Sequence, residues 1–141
     1  MTDDVSLERD QNFYPLSQLP MFCQLVDEQL EHEHEQLASL QQAESRPYVL
    51  DDATVNRSIK LYSEAPEINE CYRRQLSRWK KGEVTIDQLQ ELERLEQQVK
   101  QLEQCQSKIL KLAKSFKGNT IDQVLGKSDL ELGLKHFSDL L

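Results

Sequence analysis

Glycine and proline are scarce in this sequence, four of each in 141 residues. No glycine-rich loop is available to cradle a phosphate, and the Leu, Glu, Gln and Lys that remain form a helix composition. Long apolar runs are also missing. No stretch approaches the roughly 18 apolar residues that cross a bilayer. The first residues, Met1-Thr2-Asp3-Asp4, are acidic and open no apolar segment, so export by the general signal-peptide route is not expected. The three cysteines, Cys23, Cys71 and Cys105, are odd in number, far apart and form no C-x-x-C. Reduced thiols in a cytoplasm are the simple reading, with Cys23 and Cys105 placed beside apolar stripes where thiols are inert.

The net charge of -8 is uneven: residues 1–44 hold ten acids and one base, whereas residues 45–82 hold eight bases and five acids. Wholesale attraction to nucleic acid or anionic lipid is therefore not expected, although a local basic patch exists.

Periodicity organises the rest. Residues 1–19 show no period and read as a flexible leader, followed by a single helical domain over 20–141. Pro20 suits a first helical turn, and Cys23, Val26, Leu30, Glu33, Leu37 and Leu40 step by three and four to give a helix over about 20–44, closed by Ser45-Arg46-Pro47. Asp51 can cap the next helix, with Leu50 stapling onto Val55. Val55, Ile59 and Tyr62 share a face that Tyr72, Leu76 and Trp79 resume in the same heptad register, which predicts one helix over 52–81 kinked at Pro66. Lys80-Lys81-Gly82 supplies a stop, with Gly82 expected in the left-handed position.

Thr85-Ile86-Asp87-Gln88 is a capping box with Val84 and Leu89 as a staple. It opens a long helix over about 86–117 in which Leu92, Leu95, Val99, Leu102, Gln106, Ile109, Ala113 and Phe116 alternate steps of three and four. That is a coiled-coil seam with one polar position, Gln106. Gly118-Asn119 ends it. Boxes at Thr120/Gln123 and Ser128/Glu131 open short helices over 121–126 and 129–140, the latter with Leu130, Leu134, Phe137 and Leu141 on one face. The fold expected is all-α: an antiparallel helical bundle or coiled-coil hairpin with a short C-terminal helical tail. The acids of the first helix favour an antiparallel approach to the long helix, toward Lys100 and Lys108 and away from Glu91, Glu93 and Glu96, by a few tenths of a kcal/mol per pair, about 0.3–0.5. A long helix outrunning its neighbours would leave seam exposed for a second copy.

Three constellations compete for chemistry. Glu31 and His34 form an E-x-x-H step, but a di-iron bundle needs two such sets, and His136 is not preceded by an acid three residues earlier. A solvated acidic face is the simpler reading. Arg73, Arg74, Arg78, Lys80 and Lys81, interleaved with Tyr72 and Trp79, could grip phosphates or stack on bases. The stretch from Leu76 to Glu83 resembles the end of a recognition helix in phage-repressor-type helix-turn-helix domains. The segment 63–72 ahead of it lacks the alanine-turn-glycine pattern of that motif, and acids leading bases along one helix also suit its macrodipole. No Ser/His/Asp or Cys/His spacing argues for a nucleophile.

The expectation is a non-catalytic cytoplasmic protein–protein interaction module, an adaptor, chaperone or regulator, pairing with a protein partner or with itself. No catalytic residue, cofactor or small-molecule substrate is assigned. A nucleic-acid-associated regulator using Arg73–Lys81 is the alternative, and a metal-binding bundle the third reading.

Overall fold

The computed structural model describes residues 13–127. The leader's first twelve residues and the helix expected over 129–140 lie outside them. Four α-helices follow in order: α1 (Leu19–Ala43), α2 (Asp52–Lys81), α3 (Ile86–Ser115) and α4 (Ile121–Lys127), with 3-10 turns at Leu16–Gln18 and Pro47–Val49. No strand occurs among the described residues. The chain is an all-α helical bundle whose three long helices pack on one another. α2 runs unbroken through Pro66, which lies on an exposed position.

The residues divide into two compact units. One combines the described residues up to Glu33 with Ala65–Cys105, the other His34–Glu64 with the described residues from Gln106 on. Each long helix contributes to both.

In the first unit, Leu19, Phe22, Val26, Leu76, Trp79, Leu92, Leu95 and Val99 make one buried cluster, with Leu16, Cys23, Tyr72 and Val84 against its edge. Burial of each large side chain contributes roughly 1.5–3 kcal/mol. Phe22 sits among Tyr14, Tyr72 and Trp79 in edge-to-face contacts of 5.2, 6.2 and 5.1 Å, the arrangement the ring quadrupoles favour. Two ion pairs give the α2–α3 register. Lys80 meets Glu96, and Arg73, one heptad back, meets Glu103, one heptad on, so the two helices are antiparallel.

α1 runs parallel to α3. Cys23 lies near Glu91 and Arg94, while Asp27, one turn on, meets Arg94 at 3.7 Å and accepts a hydrogen bond from Gln98. The antiparallel approach expected from charge is thus corrected. Short connections make successive helices antiparallel, which forces the first and third to run alike, and pairs of a few tenths of a kcal/mol cannot oppose that. The feared acid-on-acid contact is relieved because Asp27 faces Arg94 and Gln98.

Residues 13–19, read as part of a loose leader, are pinned to α2. Tyr14 N–H donates to Gln75 Oε1 at 2.7 Å, and its carbonyl accepts from Gln75 Nε2 and Trp79 Nε1 at 3.1 and 2.9 Å. Leu19 is fully buried. The α2–α3 link carries the full capping box: Gln88 N–H donates to Thr85 Oγ1 at 3.1 Å and Thr85 N–H to Gln88 Oε1 at 2.9 Å. Gly82 is not left-handed, contrary to expectation. Its N–H closes the helix on the Trp79 carbonyl at 3.2 Å without a positive φ.

In the second unit, Ala43, Val55 and Phe116 form the buried centre, with Leu40, Leu50, Ile59 and Leu112 packed around it. Asp51 caps α2, accepting from Thr54 N–H at 2.7 Å. Gly118, with φ +89°, supplies the left-handed residue after α3. The segment before α2 is then laced to the start of α4: Ile121 N–H donates to the Leu50 carbonyl and Asp52 N–H to Asp122 Oδ2, both at 2.7 Å.

Candidate functional site

The seam residues Leu92, Leu95, Val99, Leu102, Ile109 and Phe116 are all buried within the chain. No part of that seam stands uncovered for a second copy.

Glu31 and His34 are both exposed on α1, and among the described residues no three His, Cys, Asp or Glu side chains converge as a metal would require. Arg73, Arg74, Arg78, Lys80 and Lys81 are brought to one end of α2 but do not act as one free patch. Arg73 pairs with Glu70 at 2.9 Å and with Glu103, Arg74 reaches Glu70 at 3.7 Å, and Lys80 pairs with Glu96. Arg78 stacks its guanidinium over the Phe13 ring, 4.8 Å from the centroid. A groove of about 530 Å³ lies between α2 and α3, but the Arg73–Glu103 and Lys80–Glu96 pairs span its rim and its apolar floor, Leu76 and Val99, is buried.

A different surface emerges around Phe13. On one side a groove of about 290 Å³ is lined by Met21, Leu25, Ile68, Cys71 and Tyr72 over the Phe22 ring. Leu25 and Ile68 leave about half of their surface open (46% and 51%), and Met21 and Tyr14 are also exposed. Single exposed apolar residues are ordinary, whereas several lining one groove are not. A second groove of about 470 Å³ beside Phe13 is lined by Arg73, Arg74, Ser77, Arg78 and Lys81, with Glu70 the one acid among the described residues that line it. One face of the first unit is therefore apolar at one end and cationic at the other.

Chemical reactivity on this face resides in Cys71, the exposed thiol. Burial raises the Cys23 pKa, and the carboxylates of Glu91 and Asp27 raise it further, so Cys23 stays a thiol at neutral pH. The Tyr72 hydroxyl is likewise raised by burial and donates to Gln29 Oε1 at 3.1 Å.

Of this surface, the sequence singled out the basic residues together with Tyr72. Phe13 and Tyr14 were hidden in an aperiodic segment. Met21 and Leu25, four apart, and Ile68 and Cys71, three apart, lie off the principal stripes. A second, weaker stripe on each helix was the available signal. Comparison with protein-family models, curated proteins and solved structures finds no match to this chain.

Proposed function

We propose that this chain is a non-catalytic helical protein–protein interaction module, an adaptor, chaperone or regulator in kind, working where thiols stay reduced, as in a cytoplasm. The observation that carries the reading is the groove of Met21, Leu25, Ile68 and Cys71, where side chains of two helices expose apolar surface side by side instead of burying it. Apolar grooves of this kind accept a partner's side chains. The nucleic-acid alternative is weaker, because glutamates of α2 and α3 already engage Arg73, Arg74 and Lys80. A partner on this groove replaces the seam-to-seam homodimer as the expected association.

Cys71 makes the reading testable. A maleimide–benzophenone attached there and photolysed in extract of the native host is expected to crosslink a discrete protein, and Leu25→Asp to abolish the product. Crosslinking that yields no protein, or that ignores Leu25→Asp, overturns the proposal.

A further inference from the structure

We infer that the groove between α2 and α3 binds a small anionic amphiphile, a molecule with an apolar body and one anionic head group (carboxylate, phosphate or sulfonate). The inference goes beyond the interaction-module reading and does not rest on it, because the groove of Leu25 and Ile68 takes no part.

The α2–α3 groove holds about 530 Å³, within the range of about 300–1,000 Å³ usual for small-molecule sites. All of its lining belongs to the first unit. Ion pairs close its two ends. Lys80 meets Glu96 at one and Arg73 meets Glu103 at the other, one heptad apart on each helix, or roughly 10 Å at 1.5 Å per residue. Leu76 and Val99 make the floor, and Ser77 is the smallest side chain of the lining.

Selectivity comes from the direction in which the glutamates turn. Glu96 stands four residues before Lys100 and Glu103 three after it, spacings at which either could neutralise that lysine along α3. Both instead cross to α2, and Lys100 makes no ion pair among the described residues. Lys81 also lines the groove, on the α2 side, and makes none among them either. Two ammonium groups, one from each wall, thus border a cleft with an apolar floor. An anionic head is attracted by both, and the methylene stems of the lysines extend the apolar surface beneath it. The Ser77 hydroxyl adds a donor on the α2 wall. A neutral molecule of the same shape gains only the apolar contact. Rim pairs this exposed are weak, so they part readily as the ligand body reaches Leu76 and Val99.

The test compares two probes of the same ring system on the full chain by fluorescence titration: anilinonaphthalenesulfonate, which carries one anionic group, and phenylnaphthylamine, which carries none. The sulfonate is expected to bind about fivefold or more tightly, with the difference shrinking as salt screens it. Lys81→Gln with Lys100→Gln, both at exposed positions, is expected to bring the two affinities together with an unchanged circular-dichroism melt. Ser77→Phe, which fills the groove from an exposed position, is expected to weaken both probes. Inorganic phosphate at millimolar concentration is expected not to displace the sulfonate, because it lacks the apolar body. Equal affinities, a preference that survives the paired lysine substitution, or displacement by phosphate alone overturns the inference. So does binding that Leu25→Asp removes and Ser77→Phe leaves intact. That result would put the probe in the groove of Leu25 and Ile68, and the interaction-module reading would stand.

Discussion

The backbone N–H of Asp52, in the first turn of α2, donates to the Asp122 carboxylate at 2.7 Å, seventy residues away in sequence. The Asp52 carboxylate answers by accepting from Thr120 Oγ1 at 2.5 Å and Gln123 Nε2 at 3.0 Å. Two helix amino-termini meet here, and each carries unsatisfied amides and partial positive charge. The Asp122 carboxylate satisfies an amide of α2, and the Leu50 carbonyl and Thr120 hydroxyl satisfy amides of α4, which explains why α4, only seven residues long, is held at all.

Thr120 is the buried member of this clasp, its hydroxyl accepting from Gln123 N–H as well as donating to Asp52. Thr120→Val keeps the shape and deletes both hydrogen bonds. A loss of about 1–2 kcal/mol in urea unfolding is expected, with faster amide exchange in α4. Unchanged exchange would show that the clasp does not hold the helix.

The two helix-ending glycines should respond oppositely to alanine. At Gly118 the φ of +89° strains any L side chain, although nothing stands within 4 Å of the added carbon. Gly118→Ala is expected to destabilise by about 1–2 kcal/mol. At Gly82 the nearest atom to an added Cβ is the Trp79 carbonyl oxygen at 3.5 Å, an ordinary contact, and φ is not positive. Gly82→Ala is expected to be neutral or to stabilise by up to about 1 kcal/mol. Thermal melts of the two variants check the contrast.

Gln75 is buried and reads the Tyr14 backbone with both ends of its amide. Truncation in Gln75→Ala leaves the Tyr14 N–H without its acceptor, so about 1–3 kcal/mol is lost. Residues 13–18 should then open more readily than the helices. Because Trp79 Nε1 donates to the same Tyr14 carbonyl, the single tryptophan reports the release as a red-shifted emission. An unshifted spectrum counts against the pinning role.

Asp51 carries the acid dependence of the α2 cap. The Thr54 side chain first, and then the hydrogen bond that Asp51 accepts from Thr54 N–H, hold its pKa below the usual aspartate value of 3.8. The folded chain binds this proton less readily than the unfolded chain, so the cap's contribution is complete above about pH 4 and is lost as pH falls through the lowered folded value. Asp51→Asn keeps a capping side chain and removes the titration. Its stability is expected to fall less steeply below pH 4 than that of the parent, measured by urea unfolding across pH; an identical acid limb would refute the assignment.

Core and groove aliphatic side chains should separate in energy. Leu102 is fully buried in the α3 seam, and Leu102→Ala is expected to cost about 2–5 kcal/mol. Ile68→Ala, at an exposed groove position, is expected to change stability by no more than about 0.5 kcal/mol while weakening partner binding.

Much of the fold was legible. Thr85 and Gln88 form the reciprocal pair that their spacing announced, because a capping box involves only neighbours in sequence. Thr120 and Gln123 form half of theirs: Gln123 N–H reaches Thr120, but the Gln123 amide turns to Asp52. That choice depends on a residue whose proximity no local pattern reveals. Gly82 and Gly118 looked alike as helix stops, and only their backbones distinguish them.

The sequence by itself determined the helices of the described residues, the caps at Asp51 and Thr85 and the buried stripes, because propensity, capping and 3.6-residue periodicity act over a turn or two. The tertiary structure decided the parallel course of α1 and α3, the docking of Tyr14 on Gln75, and the clasp of Asp52 with Asp122. It also left Leu25 and Ile68 beside Phe13 on an open face. Each of these depends on which distant surfaces meet, and chain connectivity and core burial settle that with energies far larger than the surface charge pairs visible in the sequence.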